Sequence, residues 1–315
     1  MQRSWFRSAL LLTLVLLLSL GAFVACNSGG GDEASPAGEG AFPITVERSD
    51  GTSLTLERRP ERIISLSAGG TEALFAVGAG EQVVAVDKFS DYPAETGRLP
   101  KLEYVNPDPE TIVSYNPDLV LVSLNTRDLV SRLDALGLKV LYLDAPDSIQ
   151  GVIDQVRLLG RVTGHPEEGE RVAAEMERRV KAVTDRLNDV QQGPRVYHEL
   201  DPSFFTVSPN SFVGDLYNLL KAQNIAAGAP GEYPQLSQEV ILERDPEVIV
   251  LAITPAGTGQ ATAADVKARP GWDAVSAVRS NRVHEVNADL VSRPGPRVVE
   301  GLEALARLLY PERFR

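Results

Sequence analysis

The sequence predicts a mixed α/β fold in which two Rossmann-like lobes, each with a central parallel sheet, are joined by one long α-helix. A short helix, a proline-containing break and a run of branched apolar residues occur at residues 110–122 and again at residues 239–251. Apolar strands alternate with helices on both sides of a long amphipathic stretch, a pattern that favours parallel sheets covered on both faces. A unit repeated once at this distance indicates two similar lobes rather than a solenoid, which needs several short periods.

The first lobe is predicted at residues 42–165. Residues 44–56 alternate on either side of Asp50-Gly51, a favoured turn pair, and therefore predict a hairpin. Short runs of branched apolar residues predict buried parallel strands, and glycines mark the ends of the intervening helices. The strands are expected at residues 62–66, 82–86, 118–122 and 139–143, and the helices at residues 71–77, 110–115, 127–136 and 148–162.

Residues 166–190 contain no proline after the first position and are rich in Glu, Arg, Ala and Val. This composition predicts a long amphipathic helix of about 35 Å that bridges the lobes. The alternative is an ordinary surface helix of one lobe. The second lobe is predicted at residues 191–315. Besides the repeated unit, it has expected strands at residues 194–200 and 282–286 and helices at residues 212–221 and 298–309.

The N-terminal residues 1–25 combine a basic start, an apolar run and small residues, as in an export signal. The alternative is an uncleaved membrane anchor, in which Cys26 is only a small apolar residue. Cys26 is the only cysteine, so it forms no internal disulfide. It stands where a bacterial lipoprotein carries its lipidated first residue, and lipid chains there would tether the protein to the membrane. Residues 26–41 are rich in Gly and Ser and predict a flexible lipoprotein tether.

Charge and missing motifs exclude several classes of function. The formal net charge is −12, and removal of a signal that contains Arg3 and Arg7 leaves a chain near −14, so we expect no nucleic-acid partner. The first strand is not followed by a Gly-x-Gly-x-x-Gly pattern, and there is no Gly-Lys-Ser/Thr loop or Gly-x-Ser-x-Gly elbow. Clustered His and Cys spacing for zinc is also absent. We therefore expect no catalytic residues, no resident cofactor and no metal site, and the charge is compatible with an extracellular binding protein. The rival hypothesis is a doubly wound α/β enzyme.

Five segments in order carry a family resemblance: residues 62–80, Ser90-Asp-Tyr-Pro93, residues 116–122, residues 233–239 and Arg293-Pro-Gly-Pro-Arg297. With these segments, the chain from residue 62 onward resembles the iron-siderophore/vitamin-B12 class of ABC-transporter substrate-binding proteins, in lipoprotein form. The resemblance implies a monomer outside the cytoplasm that captures cobalamin, or a related large metal chelate, and delivers it to a permease dimer with ATPase subunits. A ferric siderophore and haem are the alternative ligands.

The resemblance places the ligand between the lobes, and loops at the carboxyl ends of parallel strands line such a cleft. Phe89 and Tyr104 would be aromatic platforms for a flat ligand, or else they close the core of their own lobe. Arg293 would meet a carboxylate, phosphate or amide oxygen, or else it is a surface arginine. His198 would ligate iron or cobalt, or else it only donates or accepts a hydrogen bond. The full set of expected ligand contacts is Ser67, Phe89, Tyr92, Tyr104, Asn106, Asn125, His198, Glu199, Phe204, Ser208 and Arg293.

Two glutamates, Glu110 and Glu239, occupy equivalent places in the repeated unit. An acidic residue in the first turn of a helix is favoured by the helix dipole, and this is one explanation of both. The family resemblance offers another, in which the two acids dock on arginines of the permease and set its orientation.

Overall fold

The structure is a computed structural model that describes residues 42–254 and 260–315. The predicted signal, Cys26 and the tether at residues 26–41 lie outside the described residues. The strands form two parallel sheets and a small antiparallel hairpin. Within the described ranges, every helix is too short or too polar to cross a membrane. The predicted α/β class with two central parallel sheets is confirmed.

The hairpin pairs two antiparallel strands, with Ile44 opposite Leu56, and it precedes a five-stranded parallel sheet. The order of that sheet is β5-β4-β3-β6-β7. Every residue of β3 and β6 is buried, as expected for central strands that are covered on both faces. The strands are β1 (Ile44–Glu47), β2 (Ser53–Leu56), β3 (Ile63–Leu66), β4 (Val83–Asp87), β5 (Lys101–Leu102), β6 (Leu119–Val122) and β7 (Val140–Tyr142).

Four helices accompany the first sheet. The Ser67 side chain caps the first of them by accepting a hydrogen bond from the Gly70 N–H, and Gly78, with a φ of 86°, follows its end. The helix predicted at residues 71–77 thus begins a turn earlier, because Ser67 supplies the cap. The helices are α1 (Ala68–Ala76), α2 (Pro109–Ser114), α3 (Leu129–Ala135) and α4 (Ile149–Val162).

The long helix between the two sheets is α5 (Pro166–Asp185), which ends at Asp185 rather than at residue 190 as predicted. The chain leaves the helix through tighter turns, and Leu187 is fully buried in them. Helix α5 crosses α4 closely, since a Cβ built on Gly160 would lie 2.7 Å from the Gly169 Cα.

The second sheet has four parallel strands in the order β11-β10-β8-β9. These strands are β8 (Arg195–Glu199), β9 (Gln223–Asn224), β10 (Val248–Ile253) and β11 (Val283–Asn287). Its helices are α6 (Phe212–Leu219), α7 (Gln238–Arg244), α8 (Ala263–Lys267), α9 (Ser276–Arg279), α10 (Ala288–Val291) and α11 (Val298–Leu309). Helix α11 also packs on α5, where Arg179 and Glu303 form a bidentate ion pair.

The sequence repeat is also a structural repeat. Helices α2 and α7 begin at equivalent positions, and so do strands β6 and β10. In the break between helix and strand, Asn116 and Asp245 have φ values of 48° and 40°. The Arg62 Nε donates to the Asn116 carbonyl at 3.0 Å, and the Arg195 Nε donates to the Asp245 carbonyl at 2.9 Å. Each lobe therefore closes this unit with the same arginine contact.

Candidate ligand cleft between the lobes

A cleft of about 340 Å³ is lined by residues at or just after the carboxyl ends of strands from both sheets. Ser67 follows β3, Ser123 follows β6 and Thr254 follows β10. The side chains meet here because parallel strands end at the same edge of each sheet. Of the residues predicted to bind ligand, the structure brings four to this cleft: Ser67, Phe89, Tyr104 and Arg293.

Two aromatic side chains form one wall of the cleft. The rings of Phe89 and Tyr104 pack edge to face, with centroids 5.7 Å apart and an interplanar angle of 85°. Phe89 is 51% exposed, so its ring does not close the hydrophobic core of the lobe. The pair presents an apolar edge and face to the cleft, a surface suited to a large flat ligand.

The buried carboxylate of Asp87 fixes the loop that carries Phe89. Asp87 at the end of β4 accepts hydrogen bonds from the Phe89 N–H at 2.8 Å and from the Ser90 hydroxyl at 2.6 Å. The Ser90 hydroxyl also lies 2.9 Å from that of Thr71 in α1. Burial raises the pKa of Asp87, although its hydrogen bonds act in the opposite direction. Strand, loop and helix are therefore tied into one support for the aromatic wall.

A buried ionic cluster beside the cleft joins α1 and the loop after β4 to α10 and the loop that follows it. The Glu72 side chain, 2% exposed, accepts from Arg293 Nη1 at 3.1 Å and from Arg297 Nε at 3.0 Å. Arg293 also contacts Asp91 at 2.7 Å and Asp289 at 2.9 Å. Burial by itself would lower the pKa of Arg293, but the hydrogen bond to Asp91 and the neighbouring carboxylates raise it above its ordinary value. The guanidinium is thus held by charges from both lobes.

The backbones also approach closely at this place. A Cβ built on Gly69 would lie 2.2 Å from the Pro294 carbonyl oxygen, so any other residue at position 69 would force the two segments apart. Gly69, Pro294 and Arg293 thus lie side by side in the lining of the cleft, whereas Glu72 and Arg297 border the cavity beside α5.

Three predicted contacts of the first lobe lie outside the lining of this cleft. Tyr92 borders a different cavity of about 390 Å³ beside α5, where the Arg297 guanidinium lies 3.7 Å from the ring centroid. Asn106 is exposed, and the Asn125 side chain accepts from the Val130 N–H at the start of α3. Asn125 has a local structural contact that accounts for its position.

The predicted contacts on β8, a strand of the second sheet, are buried and do not line the cleft. His198 is 2% exposed, and its Nδ1 lies 2.7 Å from the Tyr217 hydroxyl. Its Nε2 has no hydrogen-bond partner among the described residues, and burial lowers the pKa of His198 to about 4. No group of three metal-ligating side chains occurs within the described ranges. In this geometry His198 is a neutral core residue that pairs with Tyr217, as in the hydrogen-bonding alternative.

Glu199 and Phe204 belong to a cluster around Arg269. Both Glu199 carboxylate oxygens accept from the Arg269 guanidinium at 2.6 Å. That guanidinium also lies 5.2 Å from the Phe204 ring centroid and 4.6 Å from that of Trp272. Ser208 is likewise buried. Arg269, in the same lobe, thus pairs with the Glu199 carboxylate and covers a face of the Phe204 ring.

Glu110 and Glu239 are exposed, each in the first turn of its helix. The capping hydrogen bonds are made by other residues, since Asp108 accepts from the Thr111 N–H and Ser237 accepts from the Val240 N–H. Neither glutamate forms a salt bridge with any residue that the structure describes. Both carboxylates are therefore available at equivalent positions of the two lobes.

Sequence reasoning missed several residues of the cleft, among them Asp87, Gln155 and Asp289. The sequence did contain a signal for Asp289, because an acidic residue four positions before Arg293 can form an ion pair with it. In the repeated sequence unit, Tyr104 and Tyr233 occupy equivalent positions, six residues before Glu110 and Glu239 respectively. Tyr233 is 50% exposed and is thus the aromatic residue of the second lobe that this signal singles out.

Comparison with known proteins agrees with this architecture. Residues 63–290 match the family model described as periplasmic binding protein. The substrate-binding lipoprotein YvrC of a Bacillus subtilis ABC transporter is 29% identical over 324 residues, covering 100% of this chain and 99% of that protein. A cobalamin-binding protein of Halobacterium salinarum is 31% identical over 277 residues, covering 86% of this chain and 75% of its own length. The apo structure of the periplasmic heme-binding protein RhuT from Roseiflexus sp. RS-1 matches with a TM-score of 0.71 and 27% identity, over 80% of this chain and 99% of that one.

The chain belongs to the periplasmic binding protein family. It is a member of the class of extracytoplasmic substrate-binding proteins that work with the permease and ATPase of an ABC importer.

Proposed function

We propose that this protein is the lipid-anchored substrate-binding component that captures cobalamin, or a related large metal chelate, between its lobes and delivers it to the permease. The observation that carries the proposal is the cleft at the strand ends, with the aromatic wall of Phe89 and Tyr104 and polar groups from both lobes. The similarity to a cobalamin-binding protein over 86% of the chain supports the choice of ligand. A ferric siderophore or haem is the second candidate, supported by the likeness to a heme-binding structure.

The cleft volume of about 340 Å³ lies at the low end of the range for small-molecule sites. A corrinoid is larger than most ligands of that range, so we propose that ligand entry widens the cleft while the contacts of Glu72 with Arg293 and Arg297 hold the lobes together. The domain boundaries proposed for this motion are residues 42–165 and 191–315, with α5 as the bridge.

Two further parts of the proposal concern the membrane. Cys26 would carry the lipid after removal of residues 1–25, and residues 26–41 would be the tether. Glu110 and Glu239, exposed and without salt bridges to the described residues, would dock on one arginine of each permease subunit.

The proposal is tested by titrating the purified mature chain with cyanocobalamin, a ferric hydroxamate, a ferric catecholate and haem. We expect micromolar or tighter binding of at least one of them, with one ligand per chain. Native mass spectrometry of protein purified from its own host would identify a co-purified ligand. A chain that binds none of the four, and that turns over a substrate without a transporter, would support the rival hypothesis of a doubly wound enzyme.

A further inference from the structure

The one arginine that lines the cleft among the described residues is already compensated by acidic neighbours. Arg293 contacts three carboxylates, those of Glu72, Asp91 and Asp289, at distances between 2.7 and 3.1 Å. Its side chain is only 11% exposed. Three of the five N–H donors of this guanidinium are engaged by carboxylates whose charges outnumber its own, so it differs from an arginine that waits for an anion.

The other cations near the cleft are engaged as well. Arg297 binds the same Glu72 carboxylate, and Lys88 beside Phe89 lies 2.7 Å from the Glu103 carboxylate. The Lys101 ammonium donates to the Ser90 carbonyl. Residues 255–259, which follow Thr254 in the sequence, contain no ionisable side chain. The described wall therefore offers no uncompensated positive charge to a ligand.

An anionic ligand that approaches Arg293 must either displace one of these carboxylates or lie beside them. Glu72 is almost completely buried and is also held by Arg297, so its carboxylate cannot turn away from Arg293 into solvent. Asp91 and Asp289 could move, but they would stay close enough to repel a second anion. In contrast, carboxylates at the cleft accept hydrogen bonds from the amide N–H groups of a neutral ligand.

We propose that the cleft selects ligands that present no negative charge to Arg293, namely neutral or cationic chelates whose rim carries amide groups. This inference rests on the proposed function and narrows it. It favours a corrinoid with amide side chains or an uncharged ferric hydroxamate. It disfavours haem, which carries propionates, and anionic ferric catecholates.

The sharpest test compares two nearly isosteric ligands, cyanocobalamin and its monocarboxylic acids, in which one side-chain amide is hydrolysed to a carboxylate. Calorimetric titration of the mature wild-type chain should show the amide form binding about tenfold more tightly than at least one acid, which corresponds to about 1.4 kcal/mol. The double variant Asp91→Asn with Asp289→Asn should narrow that ratio, because it removes carboxylates that oppose the anion. The ratio should stay at its wild-type value in Asp189→Asn, which removes a carboxylate paired with Arg313 outside the cleft.

The outcomes distinguish a failure of the charge selection from a failure of the proposed function. Equal or tighter binding of every acid by the wild type would show that the cleft does not reject a negative charge, and it would overturn the charge selection while leaving the binding function intact. Preferential binding of haem or a ferric catecholate would do the same. If no corrinoid, hydroxamate, catecholate or haem binds at all, the proposed function fails, and the inference that rests on it fails as well.

Discussion

Tyr104 is the residue in the cleft whose substitution most directly tests ligand contact. Its ring meets Phe89 edge to face, and both border the space between the lobes. Because Phe89 is held by a loop fixed on Asp87, the pair offers a preorganised surface rather than mobile side chains. A ligand that stacks here gains apolar contact with little loss of side-chain entropy.

We expect Tyr104→Ala to weaken the binding of cyanocobalamin by about 1–3 kcal/mol, as for a truncated aromatic anchor. Calorimetric titration measures the change. Leu136→Ala, which truncates an exposed apolar side chain outside the cleft, is the control and should bind as the wild type does. Unchanged affinity of the Tyr104 variant would remove this ring from the ligand contacts.

His198 should make stability depend on pH. Its pKa is about 4 in the folded chain because of burial, against about 6.5 when unfolded. The unfolded chain therefore binds the proton more readily between these values, and the stability present above about pH 6.5 is lost as the pH falls toward 4. The loss should be of the order of 3 kcal/mol.

Urea unfolding at several pH values across this window measures the effect. His198→Gln should lower stability at neutral pH and flatten the dependence, whereas His284→Gln, at a partly exposed position on β11, should keep most of the wild-type slope. An equally steep dependence in His198→Gln would assign the acid sensitivity to other groups.

At the scale of elements, the repeated unit places α2 and α7 in equivalent positions of the two lobes. Each helix has its own cap, Asp108 or Ser237, so Glu110 and Glu239 are not needed for capping hydrogen bonds. Their charges are still favoured by the helix dipole, and this contribution alone does not require a partner. A permease with two subunits could use both glutamates at once.

We expect Glu110→Arg combined with Glu239→Arg to abolish uptake in cells and to leave ligand affinity unchanged, because in the proposed docking like charges would then face each other across the contact with the permease. Uptake of labelled ligand and titration of the purified variant are the two measurements. Glu81→Arg with Glu167→Arg is a matched control, since both are exposed glutamates in the first turn of a helical segment. Normal uptake by the first double variant would leave the helix dipole as the explanation.

At the scale of the whole molecule, the lobes meet through the Glu72 cluster, the Gly69–Pro294 contact and α5. These contacts can act as a hinge that holds the lobes together while the outer part of the cleft widens for a large ligand. The predicted tether at residues 26–41 would let the folded part reach the permease from a membrane anchor.

We expect Cys26→Ala to release the protein from membranes or to leave it unprocessed, because the lipidated thiol and the first residue of the mature chain are then both lost. Membrane fractionation and intact-mass measurement of protein from a bacterial host test this. Ser28→Ala, two residues further along the predicted tether, should behave as the wild type. An unchanged mass and full membrane retention in Cys26→Ala would instead favour an uncleaved apolar anchor.

The sequence by itself determined the fold class, the repeat and most of the helices and strands. These features depend on local patterns, namely branched apolar runs, caps such as Ser67 and terminating glycines. The two-residue strands β5 and β9 were missed, since so short a strand is defined only by its neighbour in the sheet. The end of α5 was placed too late, because burial of Leu187 in a turn decides it.

Only the tertiary structure decided how the candidate site residues are used. The sequence indicated that loops after the strands line a cleft, and Ser67, Phe89, Tyr104 and Arg293 lie there. It did not reveal that His198 faces Tyr217 or that Glu199 is held by Arg269, because inward and outward positions on β8 depend on sheet register. The partners of Arg293 include Glu72, which is more than two hundred residues away in the chain. Charge compensation between such distant residues exists only once the lobes have come together.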